Sequence, residues 1–417
     1  SNEFMIVNNG LDNSELHTFE VNQTNLPRTL MNLSRKILLI GIYQRIILRS
    51  KQVESDICLF HREELNFSQH SMNQFITRIF SMINKSMVNI MDSEMGISKV
   101  LNRLREFYFM NDIKSMSSYL ALCKNELSKP ASSVDKNWLD RQAFLIWPEE
   151  ENNLSCGIAS ASFFHQLLGI ISSTAIQSDM PHLANQYQAI NYFTVNFNIP
   201  FPMNLVVNQD SISKYQIIFR LRLSILNQIS SMNKKFKFQR KLPQIQKSFE
   251  QARISILYFF QIFQTYLSHD VLEPQYNHLL AQFKLAQGLD RVIALHSNYL
   301  DTCLRECLMT NSRLVQILST IVSISNNFVA LVESIELTEQ TELLNTDEIA
   351  ENFMQIKTQF FKQFRIFLEA LQYYSARDSD RYLGSLLAQL DFNSTLTGHN
   401  SNIIVDHLGL IGGLAAA

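Results

Sequence analysis

Glycine and proline are scarce in this chain, with 11 and 8 residues among 417, whereas phenylalanine occurs 29 times. Tight turns draw on glycine for positive φ and stiff loops draw on proline, but helices need neither. The composition therefore predicts an all-α protein. It argues against β-sandwiches, Gly-rich phosphate loops and long disordered linkers, each of which needs residues that are rare here. Apolar residues make up 46% of the chain and charged residues 18%, so core-forming side chains are plentiful and part of the apolar surface is expected to face a partner. The length allows two or three domains of about 150 residues each.

Thirty-six Lys and Arg against 38 Asp and Glu leave a formal charge of −2. No global field attracts nucleic acid or anionic lipid, and neither is expected as a partner. Five cysteines (Cys58, Cys123, Cys156, Cys303 and Cys307) form an odd, sparse set that reads as free thiols in a reducing, intracellular setting. No basic stretch leads into an apolar one at the N-terminus. Gln44 with Arg45, and Asn326 with Asn327, interrupt the greasiest segments, so no membrane span is expected. Ser1 to Phe4 before Met5 reads as a cloning scar, as does Ala415 to Ala417, which suggests a fragment of a longer protein.

Apolar periodicity supplies the elements. Leu30, Leu33, Ile37, Ile40, Ile47 and Leu48 mark a helix over residues 30–49, Phe75 to Ile90 a second within 72–91, and Val100 to Leu127 a third that stops before Pro130. Residues 148–157 (PEEENNLSCG) have the composition of a solvated loop, with helix resuming near Ser160. Between Tyr192 and Val207 the pattern changes. Phe193, Val195, Phe197 and Ile199 alternate with polar residues before Pro200 and Pro202, which predicts one short extended or hairpin-like element near 192–207 among elongated helical bundles. Asp210 or Ser211 can cap the helix that follows.

From Gln244 onward the pattern is almost unbroken helix. Phe249, Ile256, Phe260, Phe263 and Leu267 form one stripe, and Ile254, Leu257 and Phe259 make the other sides apolar, which predicts a helix buried at the centre of a bundle. Pro274 and Gly288 bound the next helix, Asp290 can cap one running to Leu308, and Val315 to Ile335 make another. Ile349 to Leu371 line a last long helix, and a short one ends near Leu390.

No Walker loop, G-x-G-x-x-G, H-E-x-x-H or G-x-S-x-G motif occurs, so the sequence offers no catalytic starting point and no cofactor is expected. Cys303 and Cys307 are four apart on one helical face, but at about 1.5 Å per residue His296 lies about 10 Å further along the axis, too far to share an ion held at about 2.0 to 2.3 Å. With no second pair available, no metal is expected and the thiols read as small core residues. His269 beside Asp270 has no nucleophile spaced to use it. The run Lys234 to Lys241 (KKFKFQRK) places Lys234, Lys235, Lys237, Arg240 and Lys241 around two phenylalanines. It reads either as a solvated loop or as a contact for an acidic protein surface.

Several segments, taken together, resemble the gamma-tubulin complex proteins. Residues 38–49 (LLIGIYQRIILR) are similar to that family's "L-L-x-G-x-Y" helix. Residues 100–112 (VLNRLREFYFMND) resemble "L-x-x-I-K-x-Y-F-L-x-x-Q-G-D" without the Gln-Gly, and residues 119–130 (YLALCKNELSKP) resemble the helix after it. Residues 192–202 resemble "F-x-x-Y-x-V-x-x-P", residues 214–220 (KYQIIFR) "Y-x-x-I/L-F-R", and residues 266–273 (YLSHDVLE) "Y-x-x-x-E-V-x-E". Residues 289–311 (LDRVIALHSNYLDTCLRECLMTN) carry the most specific string, and residues 386–393 (LLAQLDFN) resemble the family's closing "L-x-x-L-D-F-N". Within the family the likeness is greatest to component 2 of the small complex.

The resemblance implies a non-enzymatic scaffold at a cytoplasmic, cytoskeletal microtubule-organising centre, a spindle pole body or centrosome. Its C-terminal helical domain would bind gamma-tubulin to template microtubule nucleation, and it would meet a paralogous component mainly through a missing N-terminal domain. On this reading residues 1–70 are the tail of the lateral assembly domain, 71–395 the gamma-tubulin-binding domain and 396–417 a flexible tail. The expected contacts are Phe197, Pro200, Tyr215, Arg220 and Arg222, together with the basic run. The alternative from another binding class is a helical tethering or trafficking scaffold. A helical prenyl-transfer enzyme would need clustered aspartates for Mg²⁺, and Asp378 with Asp380 is the only close pair.

Overall fold

The computed structural model describes residues 4–7, 18–21, 31–49, 69–150, 153–171, 188–233, 243–339, 346–378 and 381–391. They are mostly helical, as the composition predicts. The chain divides into two units, one made of residues 1–102, 199–208 and 280–296, the other of residues 103–198, 209–279 and 297–417.

In the first unit, helices α1 (Ser34–Arg49) and α2 (Gln69–Ser93) pack on each other along the stripes read from the sequence. Tyr43, Ile46 and Ile47 on α1 and Ile83, Met87, Ile90 and Met91 on α2 are buried. Strands β1 (Phe4–Val7) and β2 (Thr18–Val21) pair antiparallel, an element that periodicity did not indicate. The expected cap at Asp290 is corrected: the helix begins one residue earlier, and its Leu289 N–H donates to Oδ1 of Asn84 at 2.7 Å. Asn84 is buried, and Gly288 lies so close that a Cβ there would sit 2.7 Å from its side-chain nitrogen. An asparagine on α2 thus supplies the acceptor that a capping side chain would normally supply.

The third predicted stripe is two helices. Met110 adopts φ +48°, which ends α3 (Ile97–Tyr108), and Asp112 then caps α4 (Ile113–Leu127), its Oδ1 accepting from Ser115 N at 3.2 Å. A further helix missed by periodicity, α5 (Lys136–Ile146), is announced by Asp135, which accepts from the N–H groups of Asn137 and Trp138. Residues 154–158 are not loop but strand. β3 (Leu154–Ile158) pairs antiparallel with β4 (Phe193–Phe197), Cys156 opposite Val195. The alternation sensed in β4 therefore extends to a partner whose own composition masked it. Beyond Pro200 the extended segment tightens into a 3₁₀ turn, Met203–Leu205.

Helices α6 (Phe163–Ile171) and α7 (Gln209–Met232) follow. Next, α8 (Pro243–Thr265) runs into a π-helical stretch, Tyr266–Leu272, and on into α9 (Glu273–Leu285). Pro274 is therefore not a boundary between separate helices. Its ring would collide with the carbonyl four residues back in a regular α-helix, and the wider π turns, in which Glu273 N–H reaches Ser268 O, precede it. α10 (Leu289–Glu306), α11 (Ser312–Glu339), α12 (Thr346–Asp378) and α13 (Arg381–Leu390) complete the chain.

As expected, α8 buries Phe249, Ile256, Phe259, Phe260 and Phe263. Phe259 meets Phe364 and Phe367 of α12 at ring separations of 5.6 and 5.7 Å. Ile254 is the correction, lying 37% exposed on the one open side of α8. Helix α11 has the length and apolar composition to cross a bilayer, contrary to the expectation that its asparagines break it. Here it packs against α12, α6 and α7, as a core helix does.

Replacing Asn84 with Ala should cost about 1 to 3 kcal/mol, because the Leu289 amide would be left buried without an acceptor. Chemical denaturation of the two proteins measures this, and an unchanged midpoint would show that the cap is not needed.

Candidate functional site

The β3–β4 ribbon is fixed to the second unit by rings. Tyr108, at the end of α3, donates its hydroxyl to the carbonyl of Val195 at 3.0 Å and stacks on Tyr215 of α7 with centroids 5.5 Å apart. Phe107 stacks on Phe219 at 5.9 Å and meets Trp147 edge-on at 5.2 Å. Gln216 donates to the Val195 carbonyl at 3.3 Å and to the Asn196 side chain. From the other strand, Cys156 N–H donates to Asp140 of α5 at 2.6 Å. Each strand is thus gripped by a different helix, and the side chains of β4 alternate Phe193, Val195, Phe197 inward with Asn196 outward.

Phe197 has its edge in a groove of about 320 Å³ that also exposes parts of Phe107, Met116, Ile146 and Trp147. The rim is acidic. Glu106, Asp112, Glu149 and Glu150 stand around Arg103, which pairs with Glu150 at 3.3 Å and Glu149 at 3.8 Å. Hydrogen bonds from Ser115 hold the Asp112 carboxyl below the usual carboxylate range, so it stays ionised. Leu145, next to Ile146, is 72% exposed on α5. Aromatic floor, charged lip and a bare leucine are the composition of a protein-binding surface.

Of the residues singled out from the sequence, Phe197 lies in this groove and Pro200 is exposed in the first unit. Tyr215, Arg220 and Arg222, at 1%, 6% and 4% exposure, are interior side chains that hold the framework, and Arg220 also borders a cavity described below. Lys234, Lys235, Lys237, Arg240 and Lys241 lie outside the described residues. Sequence reading missed Phe107 and Trp147. The available signal was an aromatic residue placed directly before the acidic run at 148, a run that composition alone labels as loop.

The cysteines are interior. Cys303 and Cys307 are fully buried, and burial pushes the Cys307 thiol up to about 12. Tyr119 O and Cys156 S lie 3.3 Å apart under the ribbon, where burial raises Cys156 to about 12 and Cys123 to about 11. Among the described residues no three His, Cys, Asp or Glu side chains converge to hold a metal ion.

The arrangement defines a helical framework that carries a short ribbon and an aromatic groove at its surface. A family model described as "Gamma tubulin complex component C-terminal" matches residues 98–394, and the chain belongs to that family. It is 21% identical over 432 residues to "Gamma-tubulin complex component 2" of Mus musculus, covering 88% of this chain and 47% of that one. It is 19% identical over 451 residues to "Spindle pole body component alp4" of Schizosaccharomyces pombe, covering 88% and 57%. The component 2 protein of Arabidopsis thaliana is 24% identical over 306 residues, covering 68% and 44%. The chain thus spans about half the length of these curated relatives.

Raised thiol pKa values have a definite sign in stability. A group whose folded pKa lies above its unfolded value contributes fully below the unfolded value, and that contribution is lost as pH rises toward the folded one. For Cys123, Cys156 and Cys307 the window opens near 9 and closes near 11 to 12. Urea midpoints should hold steady up to about pH 8.5 and then fall progressively. A midpoint that rises through this window would contradict burial of neutral thiols.

Proposed function

We propose that this chain is a non-enzymatic scaffold subunit of a gamma-tubulin complex, whose C-terminal domain binds gamma-tubulin and helps to template microtubule nucleation. The family match over residues 98–394 carries this reading, supported by relatives named as gamma-tubulin complex and spindle pole body components. It works at a cytoplasmic, cytoskeletal microtubule-organising centre. Residues 71–395 form the gamma-tubulin-binding domain, residues 1–70 the end of a lateral assembly domain that meets a paralogous component, and residues 396–417 a tail outside the described residues.

The mechanism is presentation of a preformed shape. No bond is made or broken. A ribbon clamped between α3, α5 and α7 loses little freedom when a partner docks, so the affinity of its few surface groups is not spent on ordering it. Within this reading the groove beside Phe197 accepts a basic or apolar side chain of gamma-tubulin, and the Lys234 to Lys241 run meets an acidic stretch. Tyr215, Arg220 and Arg222 act from beneath by fixing the helix behind the ribbon.

Purified fragment should retain gamma-tubulin in a pull-down at low and at moderate salt. Leu145→Asp with Glu149→Lys alters two exposed positions and should weaken retention about tenfold, which is about 1.4 kcal/mol, without changing helical content. Failure of the unaltered fragment to bind at either salt overturns the proposed function. Binding by the double variant equal to that of the parent overturns only the placement of the contact.

A further inference from the structure

A second cavity, of about 490 Å³, opens between α6, α7 and α11 in the second unit. Arg220 forms part of its wall although it is 6% exposed. Two of its bonds go to main-chain carbonyls, those of Ala161 at 3.1 Å and Asn191 at 2.9 Å, and a third goes to the amide oxygen of Gln166. The ring of Phe163 lies 5.4 Å from its central carbon. Its Nε–H has no hydrogen-bond partner. Among the described residues every group that Arg220 touches is neutral, and none that lines the cavity is acidic. Burial lowers its pKa only to about 10, so it remains a cation at neutral pH.

A buried charge without a counter-ion costs several kcal/mol, and removing a carboxylate from water is repaid best where such a cation already waits in a low-dielectric wall. The rest of the cavity fits an organic group rather than a bare ion. Phe164, Leu168, Leu223 and Val322 supply apolar wall, while Ser224 and Asn227 supply neutral polar groups. The volume falls within the range of ligand sites, about 300 to 1,000 Å³. Among the described residues the lining holds one arginine, the exposed imidazole of His165 and no lysine, so Arg220 is its one buried cation and matches one negative charge; phosphate brings about −1.5 to −2 and usually recruits more donors.

We propose that this cavity is a docking pocket for a single carboxylate carried next to an apolar side chain on a peptide segment of a partner protein, with Arg220 as the buried counter-charge. The site is separate from the groove beside Phe197, and the inference does not depend on the identity of the partner proposed above. The carboxylate is either an aspartate side chain or a chain terminus.

Isothermal titration of the purified chain with four probes distinguishes the cases. These are acetyl-Phe-Asp-amide, acetyl-Phe-Asn with a free C-terminal carboxylate, the neutral acetyl-Phe-Asn-amide, and inorganic phosphate. At least one carboxylate peptide should bind about tenfold more tightly than the neutral peptide, the preferred one naming the source, and phosphate should bind more weakly than both acids. Arg220→Gln should erase the discrimination. Because that change alters a buried group, Ser323→Trp provides the second variant. It starts from an exposed residue of α11 at the cavity lip and should block binding while leaving Arg220 and thermal stability unchanged. Equal binding of neutral and acidic peptides, tighter binding of phosphate, no binding by any probe, or full binding by the Ser323→Trp protein each overturns the proposal.

Discussion

The hydroxyl of Tyr108 bonded to the carbonyl of Val195, with the same ring stacked on Tyr215, is the contact on which the second unit turns. A two-stranded ribbon is marginal in water, because each strand has one unpaired edge and little surface to bury. Here the buried Val195 carbonyl of β4 accepts from Tyr108 of α3, and the inward rings of Phe193 and Phe197 join Phe219 and Phe107. Such ring pairs add about 0.5 to 1.5 kcal/mol each beyond their area. Several act together, so the ribbon shares the stability of the helical core and is not left as a mobile loop.

The helices were legible because period 3.6 is a strong signal in long amphipathic stretches such as 72–91 and 349–371. The interruptions were less legible, for separate reasons. Met110 ends a helix by adopting positive φ with no glycine to advertise it. Pro274, normally a boundary, is accommodated by π turns that no periodicity reports. β3 was hidden because Leu154 and Cys156, its inward residues, alternate with Ser155 and Gly157, which composition counts as loop. Its fold is determined by β4, which begins 39 residues further along the chain, and short windows cannot see such a pairing.

The candidate site was legible in part for a related reason. Similarity to a family's motifs marks positions that matter, but it does not distinguish a side chain that faces a partner from one that holds the frame. Phe197 and Arg220 both stand in such motifs, yet one borders the aromatic groove and the other holds two main-chain carbonyls in the interior beside Phe163. Charge misled as well. An arginine on a helix normally reads as surface, and α7 carries two in its interior.

Those two arginines show how the framework is balanced. Arg222 donates to the Ser268 hydroxyl at 2.7 Å inside the π turns, and Arg220 donates to two main-chain carbonyls, so both guanidinium groups pair with polar atoms of irregular segments, Arg220 with the backbone itself. Lysine could not do this, because its compact ammonium lacks the flat fork that reaches several acceptors at once. Irregular segments placed against a central helix thus demand buried cations, and buried cations without acids demand either pKa depression or a partner's charge. Burial brings both only to about 10, which leaves them charged at neutral pH. The unspent charge on α7 is therefore a direct consequence of how the chain solves its backbone hydrogen bonding, and wherever it borders a cavity it biases that cavity toward anions.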